Sequence, residues 1–124
     1  WQNIVFQAMI GTTIAVLSTS FLVFNSSFNF SILGGYLFIA LLILIIMGFL
    51  NAFIFKSKTL SLFKSYLGVV VFTGYLLYDF NFLEQRMNLQ DDSWSSAVQI
   101  AVNIYLDIIN LFLDLLEIMA QSGN

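Results

Sequence analysis

The sequence lacks the residue types on which most enzyme and metal sites depend. Its 124 residues include no cysteine, no histidine and no proline. Without cysteine there can be no disulfide, no thiolate nucleophile and no cysteine-ligated zinc or iron–sulfur centre. Without histidine there is no imidazole base or imidazole metal ligand. Charge is also scarce, at 9% of residues and a net charge of −3, so we expect no nucleic-acid binding.

What remains is mostly apolar. Apolar residues make up 60% of the chain, against about 45–50% in soluble domains. The mean hydropathy is +0.92, and no side chain from Trp1 to Phe55 carries a formal charge. A soluble domain of this size needs charged residues over its whole surface, because that surface is large relative to its volume. The sequence therefore excludes a cytosolic single-domain enzyme.

Four apolar stretches approach or exceed the roughly 20 residues that a helix needs to cross a bilayer core. They cover residues 4–24, 33–55, 60–79 and 97–119. Continuous apolar runs do not fit the strands of a transmembrane β-barrel, which alternate apolar and polar residues. The prediction is one all-α integral membrane domain over residues 1–124. Because the sequence starts without a signal-peptide pattern, we expect it to be the C-terminal part of a longer protein.

The last of these stretches carries a stripe of polar residues. They are Gln99, Asn103, Asp107, Asn110, Asp114 and Glu117. At 100° per residue, all six fall within about 80° of the helix circumference. A helix surrounded by lipid would not carry such a stripe, since polar groups are costly there. We therefore expect the stripe to face a protein interior, a water-filled path or the headgroup plane.

Two acidic residues are the candidate functional groups. Asp107 lies near the middle of the fourth stretch, where an aspartate costs roughly 2.5–3.5 kcal/mol to insert, so we expect it to be protonated, paired or hydrated. Asp79 is placed at the predicted end of the third stretch, where the helix dipole disfavours a carboxylate. Two carboxylates on adjacent helices can bind a hard cation or share a proton. The alternatives are a structural hydrogen bond for Asp107 and a solvated helix end for Asp79.

The stretches around these acids resemble those of the Bax-inhibitor family of membrane proteins. YLGVVVFTGYLLYDFN is similar to the penultimate helix of that family, and IYLDIINLFLDLLEIM is similar to its last helix. FNFSILGGYLFIALLILIIMGFLNAFI resembles the helix that precedes them. The resemblance implies a seven-helix bundle with the last helix at its centre. This chain would supply helices four to seven, and the first three would lie outside it.

The resemblance also implies a function. Family members are described as pH-sensitive calcium leaks in which two hydrogen-bonded aspartates sense protons, and these aspartates map onto Asp79 and Asp107. On that mapping the pair would also bind calcium transiently. From the polar stripe itself, Asn103, Asn110 and Asp114 are the expected residues lining the pathway, with structural hydrogen bonds for the two amides and solvation at the membrane surface for Asp114 as the alternatives. Calcium and protons are the expected ions, no cofactor is expected, and the bilayer and other membrane proteins are the expected partners. A bacterial inner membrane is the expected location, with a eukaryotic internal membrane as the alternative.

Two other functions stay open at this point. One is a non-conducting interaction protein that modulates cell-death signalling or a membrane protease. The other is an intramembrane aspartyl protease, whose Tyr-Asp motif Tyr78-Asp79 resembles. Such proteases place Gly-x-Gly before their second aspartate, whereas Tyr105 and Leu106 precede Asp107 here. They also carry a Pro-Ala-Leu motif, and this chain has no proline. We therefore expect no enzyme activity.

Overall fold

A computed structural model describes residues 2–26, 28–88 and 93–122 of the chain. All regular structure in these residues is helical, which confirms the predicted all-α fold. The order is α1 (Gln2–Phe24), a 3-10 turn (Phe30–Leu33), α2 (Gly34–Leu50), a π turn (Asn51–Phe55), α3 (Lys58–Asn88) and α4 (Trp94–Ser122). Four helical segments of 22 to 31 residues are long and apolar enough to cross a membrane. The exact limits of the membrane spans and the central place of the last helix stay predictions.

Helix α3 extends beyond the apolar stretch that predicted it. The expectation that Asp79 lies at a helix end is wrong, because α3 continues past it to Asn88. Residues 80–88 are rich in helix-favouring Leu, Glu, Gln, Arg and Met and contain neither glycine nor proline. Arg86 lies in the last turn, where its charge suits the helix dipole, and it donates to Ser96 of α4 over 2.7 Å. The lower hydropathy of the residues after Asp79 therefore does not mark the end of helix α3.

The core lies between α1, α3 and α4. Its most deeply buried large side chains are Val23, Leu76 and Leu111. On α1, the small residues Ala8 and Thr12 are buried, and small side chains allow helix backbones to approach closely. The apolar side of α4 packs against this core through Ile104, Ile108 and Leu115. Because its apolar side is used in this way, α4 turns much of its polar stripe towards α2.

Polar contacts fix the two ends of α2. Before the helix, Oδ1 of Asn29 accepts hydrogen bonds from Asn81 Nδ2 and Gln85 Nε2 of α3, both at 3.3 Å. After the helix, Lys56 adopts a left-handed backbone conformation with φ of 47°. Its N–H donates to the carbonyl of Asn51 over 2.6 Å, which closes the π turn. The Asn29 contacts hold the start of α2 alongside α3, where α2 forms one wall of the site.

Candidate functional site

A cavity of about 820 Å³ lies between α2, α3 and α4. The side chains from α2 and the π turn are apolar, whereas the charged and polar ones come from α3 and α4. All five residues that the sequence singled out lie at this cavity: Asp79, Asp107, Asn103, Asn110 and Asp114. The structure thus brings the candidates together, although their roles stay predictions. Asn103 is exposed, while Asn110 donates to the carbonyl of Leu106 in its own helix over 2.8 Å.

Asp79 and Asp107 form a buried carboxyl pair between α3 and α4. Only 7% and 6% of their surfaces are exposed, and the two side chains are in hydrogen-bonding contact. An ionised carboxylate has no proton to donate, so this contact requires a proton on one of the two groups. Oδ2 of Asp107 is buried without a hydrogen-bond partner in the part of the chain that the structure describes. A buried acceptor without a donor is costly, which favours a shared proton or a bound cation at this position.

Two tyrosines of α3 line the same cavity as the pair. Tyr75 lies near both Asp79 and Asp107. Tyr78, which also lines the cavity, packs under the start of α2 against Gly34. A Cβ atom at Gly34 would lie 3.0 Å from Cε2 of the Tyr78 ring, which is closer than a side chain tolerates without a shift. Glycine at this position therefore lets α2 approach the part of α3 that carries Asp79.

A second charged group lies about 10 Å further along α4, two helical turns from Asp107. Here the carboxylate of Asp114 lies directly against Gly68 of α3, in the space that a Cβ atom at Gly68 would occupy. Lys64, one turn earlier on α3, packs on α2, with Cε 3.1 Å from the position of a Cβ atom at Gly48. Its charge acts on Asp114. The cavity therefore has two charged regions, of which the second also contains a cationic side chain.

Lys64 and Gly68 were missed as site residues, although the sequence contains a signal for them. The residues of α3 that line the cavity include Lys64, Gly68, Phe72, Tyr75 and Asp79. Their spacings of 4, 4, 3 and 4 match one face of a helix, as do the spacings of the polar stripe on α4. A helical projection of the third stretch would have placed Lys64 on the same face as Asp79.

Glu117, the last residue of the polar stripe, ties the two helices together. Its carboxylate oxygens accept hydrogen bonds from Ser61 and Ser65 of α3 and from Gln121 over 3.1 Å. Hydrogen bonds to an ionised group are stronger than those between neutral groups. Ser65 is fully buried, so this contact fixes the register of α3 against α4 and hence the position of Asp114 opposite Gly68.

The described residues include no group of three or more acidic side chains arranged to hold a metal ion. Asp79 and Asp107 supply two carboxyl groups, whereas a calcium site takes six to eight oxygens. If calcium occupies the pair, water or other parts of the protein must complete its coordination. Such a site suits a passing ion better than a tightly bound one.

Comparison with known proteins gives consistent matches over the whole chain. A sequence model of the family described as "Inhibitor of apoptosis-promoting Bax1" matches residues 1–124. The chain is 38% identical over 121 residues to a Golgi anti-apoptotic protein of vaccinia virus (strain Lister), covering 98% of the chain and 48% of that protein. It is 34% identical over 123 residues to Protein LIFEGUARD 4 of Arabidopsis thaliana, covering 97% and 48%, and 33% identical over 121 residues to a Campylobacter jejuni protein, covering 98% and 49%. The chain spans about half the length of these curated relatives.

Proposed function

Because the chain belongs to the Bax-inhibitor family, we propose that the full-length protein is a pH-sensitive calcium leak gated by Asp79 and Asp107. With its family and its four apolar helices, the chain is an integral multi-pass membrane protein. The observation that carries the proposal is the contact between two buried carboxyl groups, one on α3 and one on α4, at a cavity that both helices line.

The proposed gate opens when the carboxyl pair loses its shared proton. While the proton is present, the hydrogen bond between Asp79 and Asp107 holds α3 against α4. Once it is lost, two negative charges face each other and repel, and the repulsion is strong because the site is shielded from water. The same two carboxylates then attract a cation, and calcium prefers oxygen ligands of this kind. Flux is therefore expected to rise with pH.

The rest of the pathway follows the polar stripe of α4. Asn103, Asn110 and Asp114 lie at the cavity on either side of Asp107. Oxygen-bearing side chains at successive turns give a moving ion several weak sites, which conduction requires because a single strong site would trap it. Calcium is the substrate in this proposal, and no resident cofactor takes part.

The test is calcium flux across proteoliposomes that contain the full-length protein, measured at pH 6, 7 and 8. Wild type is compared with Asp107→Asn, which keeps the shape of the side chain but removes its charge. Glu84→Gln is the matched control, because Glu84 is a carboxylate on the same helix as Asp79 that does not line the cavity. Since one proton is released, the wild-type flux should rise no more steeply than about tenfold per pH unit.

Asp107→Asn should flatten this profile, and Glu84→Gln should leave it as in wild type. If Asp107→Asn kept both the flux and its pH dependence, the assignment of the gate to the aspartate pair would be wrong. If folded wild-type protein carried no calcium at any of the three pH values, the leak itself would be refuted. Size-exclusion chromatography and circular dichroism of each variant show that it is folded.

A second candidate function is favoured by the names of the relatives. The matching vaccinia virus protein is called a Golgi anti-apoptotic protein, so we propose as the alternative that the protein modulates cell death by binding other membrane proteins without conducting ions. Crosslinking in native membranes, followed by mass spectrometry of the bound proteins, separates the two. Partners that bind equally to wild type and to the Asp79→Asn/Asp107→Asn variant would support the alternative, and loss of all partners in that variant would count against it.

A further inference from the structure

One cationic side chain lies inside the cavity that the proposed function assigns to cations. Lys64 lines the cavity and is the one basic residue among the described side chains that do so. It is half-buried and its stem packs on α2, with Cε 3.1 Å from the position of a Cβ atom at Gly48. A lysine at a bilayer surface can extend its ammonium group into water. Lys64 instead packs between α3 and α2, one turn from Gly68, against which an acidic side chain lies.

This acidic side chain is Asp114, and a glycine on α3 leaves room for it at the cavity. Its carboxylate takes the space beside α3 that any side chain larger than glycine at position 68 would fill. The charged groups that act on it are Lys64 and Glu117, and Glu117 is itself bound by the hydroxyl groups of Ser61 and Ser65. Of these two charged groups, Lys64 is the one whose charge is opposite to that of the Asp114 carboxylate.

The Asp79–Asp107 pair lies in the same cavity. Oδ2 of Asp107 is buried, and no described residue donates a hydrogen bond to it. A cavity that contains this carboxyl pair and a further carboxylate, Asp114, two turns away attracts positive charge. The protein itself supplies one such charge, on Lys64.

We propose that Lys64 is a tethered cation that competes with free cations for Asp114 and thereby sets the selectivity of the pathway. The inference rests on the proposed function, since it concerns the ions that pass the cavity. The ammonium group of Lys64 repels a free cation in the same cavity, and this repulsion scales with the charge of the ion. A divalent ion is repelled about twice as strongly as a monovalent ion at the same distance. Lys64 therefore hinders calcium more than it hinders sodium and potassium.

The first test compares potassium and calcium flux in proteoliposomes of the full-length protein at pH 8. Lys64→Met removes the charge and keeps the apolar stem. Lys58→Met is the matched control, because Lys58 is an exposed lysine of α3 outside the cavity. We expect Lys64→Met to raise calcium flux relative to potassium flux by about tenfold and Lys64→Arg to keep the wild-type ratio.

Gly48→Ala is a second variant that leaves Lys64 in place. Its Cβ atom would lie 3.1 Å from Cε of Lys64, so it should displace the ammonium group and change the flux ratio in the same direction as Lys64→Met. If neither Lys64→Met nor Gly48→Ala changed the ratio in folded protein, or if Lys58→Met changed it as much, the role of Lys64 would be refuted.

A binding measurement separates this inference from the leak. Terbium(III) luminescence reports binding of a calcium-like ion to purified full-length protein in detergent and needs no conduction. Lys64→Met should bind terbium about tenfold more tightly than wild type, and adding Asp114→Asn should cancel the gain. If wild type carried no ions but showed this pattern, the leak would fail and the competition at Asp114 would stand. If calcium flux depended on Asp107 while terbium binding ignored Lys64, only the competition would fail.

Discussion

The substitution Gly68→Ala tests the contact between α3 and α4 most directly. An alanine at this buried position would place its Cβ atom in the space occupied by the Asp114 carboxylate. Alanine favours helix over glycine by about 1 kcal/mol, whereas overpacking at a tight contact costs about 1–3 kcal/mol. We therefore expect Gly68→Ala to lower the free energy of unfolding by up to about 2 kcal/mol, because the clash outweighs the gain in helix propensity.

Two companion variants separate those effects. Gly35→Ala is a control at a helical glycine where a Cβ atom would meet nothing within 4 Å, so it should be neutral or stabilising by up to about 1 kcal/mol. In an Asp114→Ala background the clash is absent, and Gly68→Ala should then stabilise by a similar amount. The double-mutant cycle should therefore give a coupling energy of about 1–3 kcal/mol.

The assay is unfolding of the full-length protein in mixed micelles by increasing dodecyl sulfate, followed by far-ultraviolet circular dichroism. A coupling energy below about 0.5 kcal/mol would be within the range of independent sites. It would show that Asp114 does not lie against Gly68, and the register that places Asp114 beside Lys64 would be wrong with it.

Two further predictions use the same unfolding assay. Leu111 is fully buried in the core, whereas Leu113 is 51% exposed. Leu111→Ala should therefore lower the free energy of unfolding by about 2–5 kcal/mol, and Leu113→Ala should lower it by less than about 0.5 kcal/mol. Equal losses would contradict the orientation of α4. Ser65→Ala removes one hydrogen-bond donor to the Glu117 carboxylate and should lower the free energy of unfolding by about 1–3 kcal/mol. If the free energy of unfolding did not change beyond experimental error, this hydrogen bond would not tie α3 to α4.

The helical class and the polar stripe could be predicted because both depend on local pattern. Apolar runs of about 20 residues leave helices as the way to satisfy the backbone in a bilayer. The spacing from Asn103 to Asp114 puts these residues on one face whatever the neighbouring helices are. Asp79 shows the limit of the same approach, since hydropathy could not show that α3 continues past it to Asn88.

By itself, the sequence determined that the chain forms apolar helices and that one of them has a polar side. The tertiary structure alone decided which groups meet across the helices. Ser65 and Glu117 are 52 residues apart, and their contact depends on how far α3 is shifted along α4. The contact of Asp114 with Gly68 depends on the same shift of α3 along α4, and the contact of Lys64 with Gly48 depends on how α3 packs against α2. Helical periodicity gives the side on which a residue lies, but the partner is selected by packing between helices, which involves contacts distant in the chain.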